Sequence, residues 1–408
     1  MAITFPASPT TSQIFTSGNK SWIWDGVTWL AYGASLSPTV LKVDATNARV
    51  GINNQSPAYA LDVNGTIEGM QFLQGTDYLS PYQGFRNKII NGDFSINQRG
   101  FTSITASDTY GFDRWAFQAS GGTSTMTPQT FTVGSPAVTG FESANFLRLV
   151  TASQSGVNDY SIFYQKIEDV RTFANSTITV SFWAKAGSGT PKIALEFGQV
   201  FGTGGSPSAG VNTYAGQSTI STSWARYSIT ATVPNINGKT IGTTANTSFL
   251  GINFWVSGGS NFNSRTGSLG IQNNTFDIWG VQVERGSVAT PFEQRPIGTE
   301  LAMCQRYYWR HTGFSSGPYF GGGTSDASSG IYITVQHPVP MRIPPTSIDV
   351  VANMTDTSAT ITPSAVSIYL AGTLSTTIKN TYSSYVQYRW YAYLLNNAGF
   401  YVGCSSEL

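Results

Sequence analysis

Charge is scarce in this chain of 408 residues: 11% of them are charged and the formal net charge is +1. A surface of that kind has no electrostatic footprint for nucleic acid or for an anionic membrane. Histidine and cysteine are nearly absent, with two of each. His311 and His337 stand in no metal-ligand spacing, and Cys304 and Cys404 cannot make a disulfide framework. A single bridge between the two remains open beside the blander reading of two buried thiols. No apolar run approaches a membrane span. The opening MAITFPASPTTSQ has neither the basic nor the apolar region of a secretory signal. No long helical period is found, and there is no P-loop and no G-x-S-x-G elbow.

What is abundant is glycine (43), phenylalanine (24), tyrosine (20) and tryptophan (10), with much Thr, Ser and Asn. That composition favours strands and turns. Ligand binding by such a surface rests on aromatic faces and neutral hydrogen-bonding groups. Sugars suit both, because their C–H faces stack on rings and their hydroxyls need directional partners.

The expected class is all-β, in four parts. Residues 1–35 hold a hairpin in which Trp22 and Trp24 alternate around Ile23, Asp25-Gly26 turns the chain and Trp29 begins the return. Residues 36–84 contain Val50-Gly51-Ile52 and Leu61-Asp62-Val63, with Asn64-Gly65 as a turn; so short a piece can hardly bury a core alone. Residues 85–298 carry alternating strands at jelly-roll spacing. In TITVSFWAKA and LGINFWVSG the aliphatic line faces inward, which turns Trp183, Lys185, Asn253 and Trp255 outward. Residues 299–408 open on a short helix capped by Thr299 and continue as strands. In YVQYRWYAYLL the set Tyr385, Gln387, Arg389, Tyr391 and Tyr393 reads as the solvent side, and the set with Trp390 as core.

Four motifs carry a resemblance. NKIINGDFSINQRG at 87–100, followed by YGFDRW at 110–115, resembles the opening of a carbohydrate-binding-like jelly roll of bacteriophage tail fibres, and NKSWIWDGVTWLAYGA at 19–34 resembles N-terminal pieces of cyanophage and other phage tail proteins. VERGSVATPFEQRPIGTELAMCQRYYW resembles the segment that links that jelly roll to a C-terminal domain in the same receptor-binding proteins. The residue 36–84 pieces resemble a fibre shaft. The resemblance implies an elongated fibre: an N-terminal hairpin, a short intertwined shaft, a jelly-roll β-sandwich and a smaller C-terminal β-sandwich as receptor-binding tip. It also implies a parallel homotrimer, since three wound copies can bury what one cannot. The hairpin, through Trp22, Trp24 and Trp29, would hold the phage tail or baseplate, and the fibre would bind a host-surface polysaccharide or lipopolysaccharide. Such a protein is made in the host cytoplasm and resides in the virion, with no membrane insertion and no nucleic acid.

Trp183, Lys185, Asn253 and Trp255 are the first candidates for a sugar-stacking platform, and Tyr385, Arg389, Tyr391 and Tyr393 the second. Burial between sheets or packing between subunits is the competing explanation for both. Jelly rolls of this kind often hold a structural calcium near their first and last strands, which would draw on Asn91, Asp93, Asp277 and Glu284; turn formation and ordinary surface acids compete. Asp113 and Arg114 read as an ion pair or hydrogen-bonded turn beside Trp115. Catalysis finds little support, with Glu168, Asp169 and Glu196 the acids to watch. Multivalent adhesion is therefore expected, against a glycan-cleaving tailspike or a purely structural tail or collar part.

Overall fold

The computed structural model describes residues 4–18, 20–31, 41–44, 46–53, 56, 58, 60–63, 72–74, 77–79, 85–134, 136, 138, 140–313, 319–326, 330–356, 358–382 and 386–408. The chain divides into two compact units, Met1–Ser80 and Pro81–Leu408.

In the first unit, β1 (Ile14–Ser17), β2 (Lys20–Trp24) and β3 (Trp29–Ala31) form an antiparallel sheet. Asp25 holds the turn between β2 and β3 by accepting the Val27 and Thr28 amides, both at 2.7 Å. The aromatic side of this sheet is filled from within its own chain. Phe5 stacks on Trp29 at 5.3 Å and meets Trp22 edge-on at 5.2 Å, and Phe15 packs on Trp22. The hairpin thus does not present its tryptophans as a bare face; of its exposed apolar residues Val27 sits in the turn, and the register places Ile14 and Leu30 on the other side. A second sheet joins β4 (Leu41–Asp44), β5 (Arg49–Ile52) and β6 (Leu61–Val63), with β5 and β6 parallel through Val50–Leu61 and Ile52–Val63. The pair β7 (Phe72–Gln74) and β8 (Asp77–Leu79) follows. The Asn64-Gly65 turn lies outside the described residues.

The second unit opens with a β-sandwich of jelly-roll type. Its strands are β9 (Thr109–Tyr110), β10 (Ala116–Ser120), β11 (Thr123–Thr130), β12 (Asn145–Ala152), β13 (Tyr160–Glu168), β14 (Thr177–Ala186), β15 (Lys192–Val200), β16 (Val211–Thr219), β17 (Ala225–Thr232), β18 (Phe249–Gly258) and β19 (Thr275–Arg285). One sheet runs β16-β15-β18-β13-β10-β9 and the other β11-β12-β19-β14-β17. The inward alternation is the expected one: Ile178, Val180, Phe182 and Ala184 of β14 meet Leu250, Ile252, Phe254 and Val256 of β18 in one core. Each such aromatic or aliphatic side chain contributes about 1.5–3 kcal/mol by leaving water.

The two motifs that bracket this sandwich in sequence lock onto each other in space. Asn91 adopts φ 58°, a left-handed conformation that Asn tolerates better than most residues. Its side-chain amide donates to the Ile96 and Asp113 carbonyls at 2.8 and 3.0 Å and accepts from the Ile96 amide at 2.9 Å. From the other end of the domain, Glu293 accepts the amides of Phe85 and Asn87 at 2.6 and 2.8 Å. Arg295 donates to the Ile89 carbonyl and pairs with Glu300 at 2.8 Å, while Glu300 accepts the Asn91 amide. Glycine follows Asn91 because a Cβ on Gly92 would overlap the Val281 carbonyl.

Asp113 does not pair with Arg114. It accepts the Gln98 amide at 2.8 Å and the Gln98 side chain, and burial, the largest cause, pushes it up to about 6 from an ordinary 3.8. The folded state therefore binds more protons than the unfolded chain between those two values. Stability from this group rises as pH falls from about 6 to about 4 and is constant outside that window. The difference in urea midpoint between the wild type and Asp113→Asn is expected to move in the wild type's favour across that window; parallel pH profiles would refute the assignment.

Helix α1 is the single turn Asn263–Thr266, and α2 spans Ile297–Gln305. Pro296, not Thr299, stands at the N-cap of α2, so the helix begins three residues before the expected start; proline suits a helix entry because its missing N–H is not needed there. After it come β20 (Tyr308–Thr312), β21 (Tyr319–Ser325), β22 (Ile331–Gln336), β23 (Ser347–Val351), β24 (Asn353–Thr355), β25 (Thr360–Ile361), β26 (Ala365–Ala371), β27 (Ser375–Thr381), β28 (Trp390–Leu394) and β29 (Tyr401–Ser405). A small sheet β20-β29-β23 packs with a seven-stranded sheet β25-β24-β28-β21-β22-β27-β26 around Trp309, Ile333, Ile378, Tyr391, Tyr393 and Cys404. Cys304 and Cys404 are both buried free thiols. Burial pushes Cys404 up to about 12.

Candidate functional site

The two halves of the first expected platform lie on different sheets, Trp183 and Lys185 on β14 and Asn253 and Trp255 on β18. Trp255 does point away from the main core, as the alternation requires, but it is 1% exposed. The segment after β18 folds back over it. Phe262 packs on its ring at 5.2 Å and the Arg265 guanidinium lies 4.8 Å from the ring centroid. Beneath them Glu196, fully buried, takes Arg265 in a bidentate pair at 2.6 and 2.9 Å and accepts from Asn253 and Trp255 at 3.0 and 3.1 Å. Trp183 is half-buried in an aromatic layer with Trp279 (5.2 Å) and Phe141 (5.9 Å), and Arg226 covers its ring at 4.8 Å.

The acids considered for calcium are not brought together. Asp277 faces Arg148 at 2.6 Å and Lys185 at 3.5 Å. Glu284 lies seven residues along the same strand, about 20 Å away at the usual rise, and accepts from Thr290 and Gln282. Asp93 holds its own turn through Ser95. Among the described residues no group of three or more His, Cys, Asp or Glu is arranged to hold a metal. The acids considered for catalysis are also occupied: Glu168 pairs with Arg306 at 3.0 Å and Asp169 with Arg171 at 2.8 Å.

The second expected platform is inverted. The strand begins only at Trp390, so Arg389 lies outside it, paired with Asp356 at 2.6 Å, and Tyr385 lies outside the described residues. Tyr391 and Tyr393 are buried, and Trp390 is 52% exposed. The tyrosines can be inside because their hydroxyls find partners there: Tyr393 donates to Asn380 at 2.8 Å, and Tyr391 accepts the Val386 amide at 3.1 Å.

Trp390 heads a row that the register carries across five strands: Trp390 (β28), Thr324 (β21), Tyr332 (β22), Lys379 (β27) and Ser367 (β26). Beside it runs a second row, Gly322, Thr334, Thr377 and Leu370, in which the two threonine hydroxyls meet at 2.9 Å. The Trp390 ring lies so close over Gly322 that a Cβ there would come within 2.8 Å of it. Two strand spacings away, about 10 Å, Tyr332 donates to Asp326 at 3.1 Å and meets Tyr369 edge-on at 4.7 Å; Tyr369 is 56% exposed, and the Lys379 ammonium sits 5.8 Å from the Tyr332 ring. An aromatic surface therefore stands at each end, with threonine hydroxyls between them and the Lys379 ammonium on the far side of Tyr332.

No protein-family model matches this chain, and no curated protein matches it. Among solved structures, the enzymatically active domain of tailspike protein 4 from bacteriophage CBA120 is similar at 15% identity and a TM-score of 0.30, over 51% of this chain and 22% of that one. The family 11 carbohydrate-binding module of Clostridium thermocellum, in complex with a mixed-linked tetrasaccharide, is similar at 11% identity and a TM-score of 0.26, over 46% of this chain and 98% of that one. The CBM22-1 xylan-binding domain of Paenibacillus barcinonensis Xyn10C is similar at 10% identity and a TM-score of 0.25, over 46% and 94%. Likenesses at this level carry nothing about ligand or activity. Those rest on the chain's own side chains.

Sequence alternation alone missed Trp390 because Arg389, two residues from Tyr391, looked like a solvent-side neighbour. The signal that could have found it is Gly321-Gly322-Gly323. A glycine run inside a strand marks a place where something large must lie flat against the backbone.

Proposed function

We propose that this chain is a phage tail-fibre adhesin that binds a host-surface polysaccharide or lipopolysaccharide through the outer face of its C-terminal seven-stranded sheet. The observation that carries this is the row headed by Trp390. A half-exposed indole lies over glycine, and across the four neighbouring strands hydroxyls, an ammonium and a second aromatic pair share its face. A sugar ring placed on the indole keeps its C–H face on the ring, with its hydroxyls turned toward Thr324 and Thr334, and Lys379, farther along the row, is placed for a later residue of the same glycan.

In this reading the chain acts as a parallel homotrimer, held to the virion by its N-terminal unit. Support for the trimer comes from Ile52 and Leu61, apolar residues of a small three-stranded sheet that are exposed among the described residues. Three weak sites on one rigid assembly then gain avidity without any new contact. Adhesion without cleavage is proposed, since Glu168, Asp169 and Glu196 are each committed to an arginine.

The test uses the full chain, labelled, with polysaccharide and lipopolysaccharide extracted from candidate host cells. Trp390→Ala is expected to weaken monovalent binding about tenfold, as the loss of one stacking ring of 1–3 kcal/mol would, with an unchanged melting temperature because the ring is half in solvent. Unchanged affinity in that variant would move the site elsewhere. Release of oligosaccharide into the supernatant would replace adhesion by hydrolysis, and light scattering from a stable monomer would remove the trimer.

A further inference from the structure

A second concavity, unrelated to the Trp390 face, opens beside the start of the sandwich. It encloses about 290 Å³ between the entry segment 85–90, the end of β13, the turn at Thr172 and helix α2. Its apolar lining is Ile90, Ile167 and Met303, and Phe85, 51% exposed, stands at its mouth. The volume is at the lower end of the range for small-molecule sites, about 300–1,000 Å³. That gives room for one ring rather than a length of chain.

Its charges decide the ligand. Lys88, Lys166, Arg295 and Glu168 line it. Two of these are paired with an opposite charge, Glu168 with Arg306 at 3.0 and 3.1 Å and Arg295 with Glu300 at 2.8 Å, and Lys166 is part-buried, held by the Leu408 carbonyl at 2.6 Å and by the Phe249 ring at 4.9 Å. Lys88 is different. It is exposed and donates to the Phe85 carbonyl at 3.0 Å, in a bond that uses one of its three ammonium protons. A pocket of one-ring size with an apolar floor and an ammonium at its mouth is matched by a ring that bears one negative charge.

We infer that this pocket binds a single acidic sugar residue, its carboxylate on Lys88 and its ring against Phe85 and Met303. The site is separate from the Trp390 face and does not depend on it. A fibre with both would hold a neutral stretch of glycan on one surface and a terminal or branching acidic residue in the other.

The full chain is titrated with methyl glucuronide, methyl glucoside and acetate, followed by ligand-observed NMR and calorimetry. The glucuronide is expected to bind at least tenfold more tightly than either of the others. Lys88→Met is expected to cost it about tenfold or more, the size of one charge-assisted hydrogen bond. Lys88→Arg should retain most of the affinity, and Trp390→Ala should leave it unchanged. Equal affinity for the glucuronide and the glucoside overturns the charge argument, and equal affinity for acetate overturns the ring. Undiminished binding in Lys88→Met, or no saturable binding of the glucuronide, overturns the site. Loss of binding in Trp390→Ala alone would show that the sugar had gone to the other face.

Discussion

Replacing Glu407 by alanine is expected to destabilise the second unit by about 3–5 kcal/mol, the usual cost of stripping one partner from a buried ion pair. The charge left behind is Arg114, which is 1% exposed; burial alone lowers its pKa, and its neighbours, Glu407 foremost, outweigh that and hold it above the ordinary arginine value. Its guanidinium pairs with Glu407, donates to the Lys166 carbonyl at 2.6 Å and lies 3.4 Å from the centre of the Tyr307 ring. The same carboxylate also meets Arg99 at 3.3 Å. Without it the Arg114 and Arg99 guanidiniums lose the carboxylate they share, and arginine cannot relieve the cost by losing its proton. Chemical denaturation of Glu407→Ala against the wild type measures the loss. A difference under about 1 kcal/mol, the range of a solvent-exposed pair, would mean that water reaches Arg114.

Asn91→Ala is expected to cost a similar amount, on the order of 3–5 kcal/mol, for a different reason. Its side chain satisfies the Ile96 amide, the Ile96 carbonyl and the Asp113 carbonyl in a place with no access to water. Each buried backbone group left without a partner costs about 1–3 kcal/mol, and alanine at a positive φ adds about 1–2 kcal/mol. The Asn91 carbonyl, which takes the Trp115 indole N–H at 2.8 Å, would be displaced with it. Asn91→Asp is the control that keeps shape and loses two donors. Thermal unfolding should rank the wild type above Asn91→Asp and that above Asn91→Ala, and equal melting temperatures would show that water takes over the amide's work.

The fold class and the strands of the sandwich were legible because alternation over eight or ten residues is a strong signal when one face meets a large core, as in β14 and β18. The site was not. Trp255 points away from that core as read, yet a turn that follows it in sequence covers it, and no periodicity reports what a later segment will do. Tyr391 and Trp390 exchanged places because an alternation of aromatic against aromatic has no hydrophobic contrast. What chose between them was the supply of hydroxyl partners at Asn380 and Val386 and a glycine floor on β21, both distant in sequence. The Asn91–Gly92–Asp93 turn was read as a turn or a calcium ligand set. Its actual role, as acceptor and donor for its own loop, depends on the Asp113 carbonyl twenty-two residues on.

The clasp between residues 85–100 and 284–300, with Glu407 reaching back to Arg114, also fixes when the protein can exist. On the ribosome, the opening segment of the sandwich emerges about two hundred residues before Glu293 and Arg295, which satisfy its amides and carbonyls, and some three hundred before the partner of Arg114. Pairing across such separations is slow. A chain stalled before Glu407 thus carries a buried arginine without its counter-ion and is destabilised. The sandwich's buried charges are matched only after Glu407 has emerged, so shorter copies are left open to proteases.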